Sequence, residues 1–192
     1  MERTVEASPR FKARIAGVLY LLNILTGILA LVFVGRGLVV YGDYAILIAA
    51  VCYVGVTLLF FSLFKPVSPT LSLIAALFSL VGCAISTVSP LHLVPSWISP
   101  LIFFGFYCLL IGRLIFRSTF LPRILGALMG FGGLGWLTFL SPPLANYLSP
   151  WNMLPGVLGE LSLTLWLIVI GVNVQRWTEQ ASAAAATLSR LP

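Results

Sequence analysis

Charge is what this chain has least of. Of its 192 residues, 8% are Asp, Glu, Lys or Arg and 60% are hydrophobic. A soluble domain carries about a quarter charged residues, so these few cannot cover a water-facing surface. Histidine and cysteine are nearly as scarce: one histidine, His92, and three cysteines, Cys52, Cys83 and Cys108, each alone in an apolar stretch. With no CxxC or Cys/His cluster, neither a zinc site nor a disulfide framework is expected. The thiols read as small buried apolar groups. No phosphate-cradling loop, nucleophile elbow, HExxH or dinucleotide fingerprint occurs, so the common soluble chemistries and their cofactors are not expected. Period-2 alternation is missing, which excludes a transmembrane barrel. The net charge is +6, but no basic patch interleaved with aromatics exists, so nucleic acid is not an expected partner.

What is present is length of apolar run. A spanning helix needs about 20 mostly apolar residues, and six segments qualify: 14–34, 44–64, 69–88, 97–116, 121–140 and 151–174. They predict an all-α, polytopic transmembrane bundle of six spans over residues 14–177. A cytoplasmic segment (1–13) precedes it and a cytoplasmic tail (178–192) follows. The first run exceeds the roughly 7–15 residues of a cleaved h-region and lacks a small-residue cleavage site, so it reads as a retained helix. Gly, Pro and Ser punctuate the connections, as at Lys65-Pro66, Ser68-Pro69, Ser89-Pro90, Ser141-Pro142-Pro143 and Ser149-Pro150. About nine residues are left to join the first two helices. Asp43 stands where an N-cap for the second helix belongs, within reach of Arg36. The tail from Gln175 reads as a brief extension of the last helix that then frays.

Orientation follows from the basic residues. With six spans, ten of the eleven Lys and Arg fall on one side and Arg36 alone on the other. The positive-inside rule then places both termini in the cytoplasm, in the inner (plasma) membrane of a cell. Tyr41, Tyr44, Trp97, Tyr147 and Trp151 gather at the outer interface and Trp177 at the inner one, as aromatic belts do. The two halves share no motif that would suggest an inverted repeat.

Small residues should mark the helix seams. Ser72, Ala75, Ala76, Ser79, Gly82 and Ser86 form one stripe, Gly126, Gly130 and Gly133 a second, and Gly156, Glu160 and Thr164 a third. Glu160 is the one charged-type residue well inside a span. It lies about 8 or about 13 Å deep, depending on where its helix begins. Such an acid must face the bundle or a watery cavity, find a partner, or take up a proton. Asn23, Thr26 and Tyr107 are candidate donors to it, Ser162 and Thr164 candidate lining, and Arg36 a candidate cation if the acid is shallow. Arg113 should snorkel to the cytoplasm. The candidate intramembrane polar site is therefore Glu160, Asn23, Tyr107 and Thr164. His92 lacks the adjacent acid or nucleophile a catalyst needs. Arg113, Arg117 and Arg123 mark topology and attract anionic headgroups.

Four stretches carry a resemblance: "ARIAGVLYLLNILTGI" (13–28), "LFKPVSPTLSLIAALFSLVGCAI" (63–85), "FFGFYCLLIGRLIFRSTFLPRILGALMGFGGLGWL" (103–137) and "LPGVLGELSLTLWLIVIGVN" (154–173). Together they resemble a bacterial family of multi-pass membrane proteins, the domain of unknown function 4386. The resemblance implies a small helical membrane protein with no established activity, so no catalytic residue comes with it. This chain departs from the pattern in its short first connection and in Phe78, where members often carry a basic residue.

Three function classes follow. The first is a non-catalytic membrane protein of interaction, assembly or sensing, its partners the lipid bilayer and a second copy or another membrane protein. The second is a small transporter or proton-coupled carrier with Glu160 as the titrating group. The third and weakest is a membrane enzyme acting on a lipid or isoprenoid; a non-catalytic role is favoured over it.

Overall fold

The structure is a computed structural model that describes residues 8–91, 93, 95 and 98–188. The described residues are helical, with no strand among them. The principal helices are α1 (Pro9–Gly35), α2 (Val39–Phe64), α3 (Pro69–Val88), α4 (Pro100–Arg117), α5 (Arg123–Leu137), α6 (Pro142–Leu148), α7 (Leu154–Val169) and α8 (Val174–Leu188). Six helical segments, Pro9–Gly35, Val39–Phe64, Pro69–Leu91, Pro100–Arg117, Arg123–Leu140 and Trp151–Val169, are long and apolar enough to cross a membrane. His92, Trp97, Arg3 and Arg190 lie outside the described residues.

Serine followed by proline starts α1, α3, α4 and α6, and in the first three the serine side chain caps the helix. Ser8, Ser68 and Ser99 each accept a backbone N–H from the first turn, at 3.2, 3.4 and 3.3 Å, and Pro9, Pro69 and Pro100 occupy the first helical position. A hydroxyl satisfies one of the orphan N–H groups there, and proline has none to leave unsatisfied.

The helices pack as a closed ring. α1 meets α2, α2 meets α3, α3 meets α4, α4 meets α5, α5 meets α7, and α7 returns to α1. Tyr20, Phe60, Ile111, Met129, Leu163 and Leu167 fill the interior. The outside is equally apolar: Leu31, Val51, Leu58, Ile124 and Val169 are each more than 60% exposed. An apolar interior within an apolar exterior suits lipid as solvent. One end of the ring, here the near end, carries the start of α1, the α2–α3 and α4–α5 turns and α8. The far end carries the other connections.

Close seams rest on missing side chains. On α4 and α5, a Cβ at Gly112 would stand 2.8 Å from the Gly126 carbonyl oxygen, and one at Gly126 would stand 2.8 Å from that of Gly112. Gly105 and Gly133 repeat this reciprocal approach two turns away. Gly126 thus serves a seam inside the chain, whereas a Cβ at Gly130 would meet nothing within 4 Å. On α3, Ser72, Ala75, Ser79 and Gly82 are buried as the small-residue stripe implies. Phe78 leaves that stripe and tilts against Phe106 of α4, ring centroids 5.2 Å apart.

Several boundaries differ from the sequence expectation. The first connection is three residues, 36–38, because Gly37 turns left-handed (φ +77°) and the apolar segment after it coils at once. Asp43 therefore sits inside α2, beyond any capping position, and makes no ion pair with Arg36 among the described residues. The last span stops at Val169, where Gly171 takes φ +75°, and α8 forms a separate helix reaching Leu188 instead of fraying. Trp177 anchors α8 by donating Nε1–H to the Leu63 carbonyl at 2.9 Å. Residues 138–153 hold α6 between two 3-10 turns, Thr138–Leu140 and Trp151–Met153.

Candidate functional site

α7 begins at Leu154, which sets Glu160 about 9 Å along the helix from its far end. One turn before Glu160 stands Gly156. A Cβ there would collide with the indole of Trp136 on α5. With only hydrogen in that place, the ring sits against the α7 backbone, and its Nε1–H donates to Glu160 Oε1 at 2.8 Å. Gly132 and Gly159 let the two backbones approach: a Cβ at Gly132 would be 3.0 Å from the Pro155 carbonyl oxygen, and one at Gly159 would be 2.5 Å from that of Leu128. Cys108 of α4 also points its thiol at Oε1, at 3.7 Å, and the Tyr20 hydroxyl neighbours the carboxylate.

Glu160 is only half-buried, because it borders a cavity of about 370 Å³ in the far half of the ring. Each of the six ring helices lines that cavity, with Asn23, Tyr53, Ser86, Phe104, Trp136 and Glu160 contributed in turn by α1, α2, α3, α4, α5 and α7. Aromatic contacts stiffen its floor. Tyr53 lies edge-on to Tyr20, Phe104 and Tyr107, with centroids 5.4, 4.8 and 5.6 Å away. The Tyr20 and Tyr53 hydroxyls share a hydrogen bond of 3.3 Å.

Of the residues singled out from sequence, Asn23 and Glu160 line the same cavity. Tyr107 is buried close by, yet its hydroxyl has no hydrogen-bond partner among the described residues. Thr164, one turn nearer the middle of the bundle, is likewise buried, its hydroxyl without a partner among the described residues. Thr26 turns back on its own helix, donating to the Leu22 carbonyl at 2.7 Å. Ser162 and Arg36 are not among the cavity residues, and Arg113 is exposed on α4. Trp136, Cys108, Tyr20 and Tyr53 escaped the sequence reading. Gly156 and Gly159 around Glu160 were the available signal, since glycines beside a buried acid leave room for a large donor from another helix.

A half-buried carboxylate, a fixed indole donor and an aromatic wall can hold an organic cation by charge and ring face. The described residues contain no group of three metal-ligating side chains.

The family described as "Domain of unknown function (DUF4386)" matches residues 36–97 and 95–171, which cover most of the chain. This chain belongs to that family. The matched DUF4386 segments contain Tyr53, Cys108, Trp136 and Glu160, whereas Tyr20 and Asn23 precede them. The DUF4386 chain is similar to an "Uncharacterized protein" of Archaeoglobus fulgidus, 28% identical over 138 residues, which are 69% of this chain and 85% of the archaeal one. No solved structure matches it.

Proposed function

We propose that this protein is a non-catalytic, multi-pass receptor of the inner (plasma) membrane, with both termini cytoplasmic, that senses a small amphiphilic amine. The supporting observation is the half-buried Glu160 carboxylate, set by Trp136 on the edge of an otherwise largely apolar cavity. An uncompensated carboxylate in such surroundings is costly, so a cationic, mainly apolar guest gains both charge pairing and burial. Tyr53, Phe104 and Trp136 offer faces to an ammonium group. Asn23 adds a second polar contact across the cavity from α1.

A carrier is the second reading, favoured by one observation. Hydroxyls continue from the cavity toward the near end: Tyr20 with Tyr53, then the buried pair Thr57 and Ser79. A carrier would use Glu160 as its titrating group and move the amine, or a proton, across the bilayer.

Binding of 2-phenylethylammonium to the full chain in lipid nanodiscs, followed by tryptophan fluorescence, tests the site. Saturable binding is expected, weakened at least about tenfold by Glu160→Gln and unchanged by Asp43→Asn. Equal affinity in the Glu160→Gln protein sinks the proposal. Flux of the same probe into reconstituted vesicles separates carrier from receptor.

A further inference from the structure

At the near end a second cavity, of about 620 Å³, opens between the first turn of α1, the α4–α5 connection and the α7–α8 break. It shares no lining residue with the Glu160 cavity. The local chain builds it. Gly171, left-handed at φ +75°, swings the backbone beside Arg10, so that a Cβ there would stand 3.1 Å from Arg10 Cγ. Asn173 then caps α8 by accepting the Arg176 N–H at 3.1 Å. Arg176 thereby comes to the cavity wall, where its Nη1 donates to the Thr119 carbonyl at 3.3 Å. One of five guanidinium N–H groups is engaged in that bond.

Two arginines thus line one cavity, and no acidic side chain lines it among the described residues. The rest of its wall turns apolar through Trp166, Ile170 and Val174, and the last two are exposed on the bundle surface. A cationic mouth beside an apolar wall, where the spans end, matches a phosphate group with hydrocarbon attached. Arginine pairs take phosphate through forked, charge-assisted hydrogen bonds, and basic pockets between membrane helices hold anionic headgroups.

We propose that this cavity binds a phosphate group between Arg10 and Arg176, supplied by the headgroup of an anionic phospholipid. The full chain is reconstituted in phosphatidylcholine nanodiscs, with and without phosphatidylglycerol, and in phosphatidylcholine nanodiscs with inorganic phosphate. Phosphatidylglycerol is expected to raise the unfolding midpoint by about 4 °C. The Arg10→Gln/Arg176→Gln protein should lose most of that rise. The Arg14→Gln/Lys65→Gln protein, altered by the same charge at exposed positions away from the cavity, should keep it. Stabilisation by inorganic phosphate alone, lost in the same cavity variant, upholds the phosphate site and assigns it to a free ion instead of a lipid. No rise in the unaltered protein, or equal loss in both double variants, overturns the proposal. If the cavity double variant does not fold, native mass spectrometry of phosphatidylglycerol retained by Arg10→Gln and by Arg176→Gln, set against Lys65→Gln, gives the same decision.

Discussion

Trp136 and Glu160 meet because Gly156 stands between them without a side chain. Two substitutions separate the steric cause from the polar one. Trp136→Phe keeps most of the ring and removes the donor, and it should lower stability by about 1–3 kcal/mol, because the half-buried carboxylate then loses its indole hydrogen bond. Gly156→Ala keeps both partners but pushes the indole away, so the Trp136 fluorescence spectrum should shift as the midpoint falls. A milder loss is expected for Glu160→Gln, whose amide oxygen still accepts from the indole. Thermal unfolding of the three proteins in one detergent checks the order, and a Trp136→Phe protein as stable as the parent refutes it. The acid itself was visible in the sequence as a lone charge among leucines. Its partners were not, since an indole 24 residues away looks like any core or interfacial aromatic. Cys108, read as an inert thiol, gave no hint that it faces the same oxygen.

Among elements, the α4–α5 hairpin is the tightest seam. Leucine at Gly112 would drive side-chain atoms into the α5 backbone at Gly126 and Gly130, so Gly112→Leu should cost at least about 2 kcal/mol through overpacking. Gly130→Ala should be neutral or slightly stabilising, because nothing stands near its Cβ and alanine favours helix by about 1 kcal/mol. If both substitutions lower the midpoint equally, the seam is misassigned. Hydropathy was enough to find six spans, and the Ser68-Pro69 pair marked the start of the third. It failed at the ends for definite reasons. Residues 39–43 are turn-like only by the Gly-Asp pair, and the helix absorbs both. The stretch around Gly171 is apolar on each side, so the composition continues straight through a backbone break that only its positive φ reveals.

For the whole molecule, ring closure sets the shape. α1 seals against α7 where a Cβ at Gly17 would stand 2.8 Å from Ile168 Cγ1. An even number of spans then returns the chain to the side from which it started. Cysteine placed at Arg36 should react with an impermeant maleimide on intact cells, whereas cysteine at Ser182 should react only after permeabilisation. The reverse pattern, or labelling of both from outside, refutes the proposed orientation. Fold class was legible because so few charges leave no alternative to lipid. Ring order was not, since hydropathy says which residues avoid water but not which helix neighbours which.

The α1–α7 seam has a consequence for biogenesis. α1 meets its neighbour α7 only when every span between them has been made, so the ring closes late. Until then Tyr20 and Asn23 look onto an open slit along five helices, a state that membrane quality control can recognise and that a chain cut short before Gly156 never escapes.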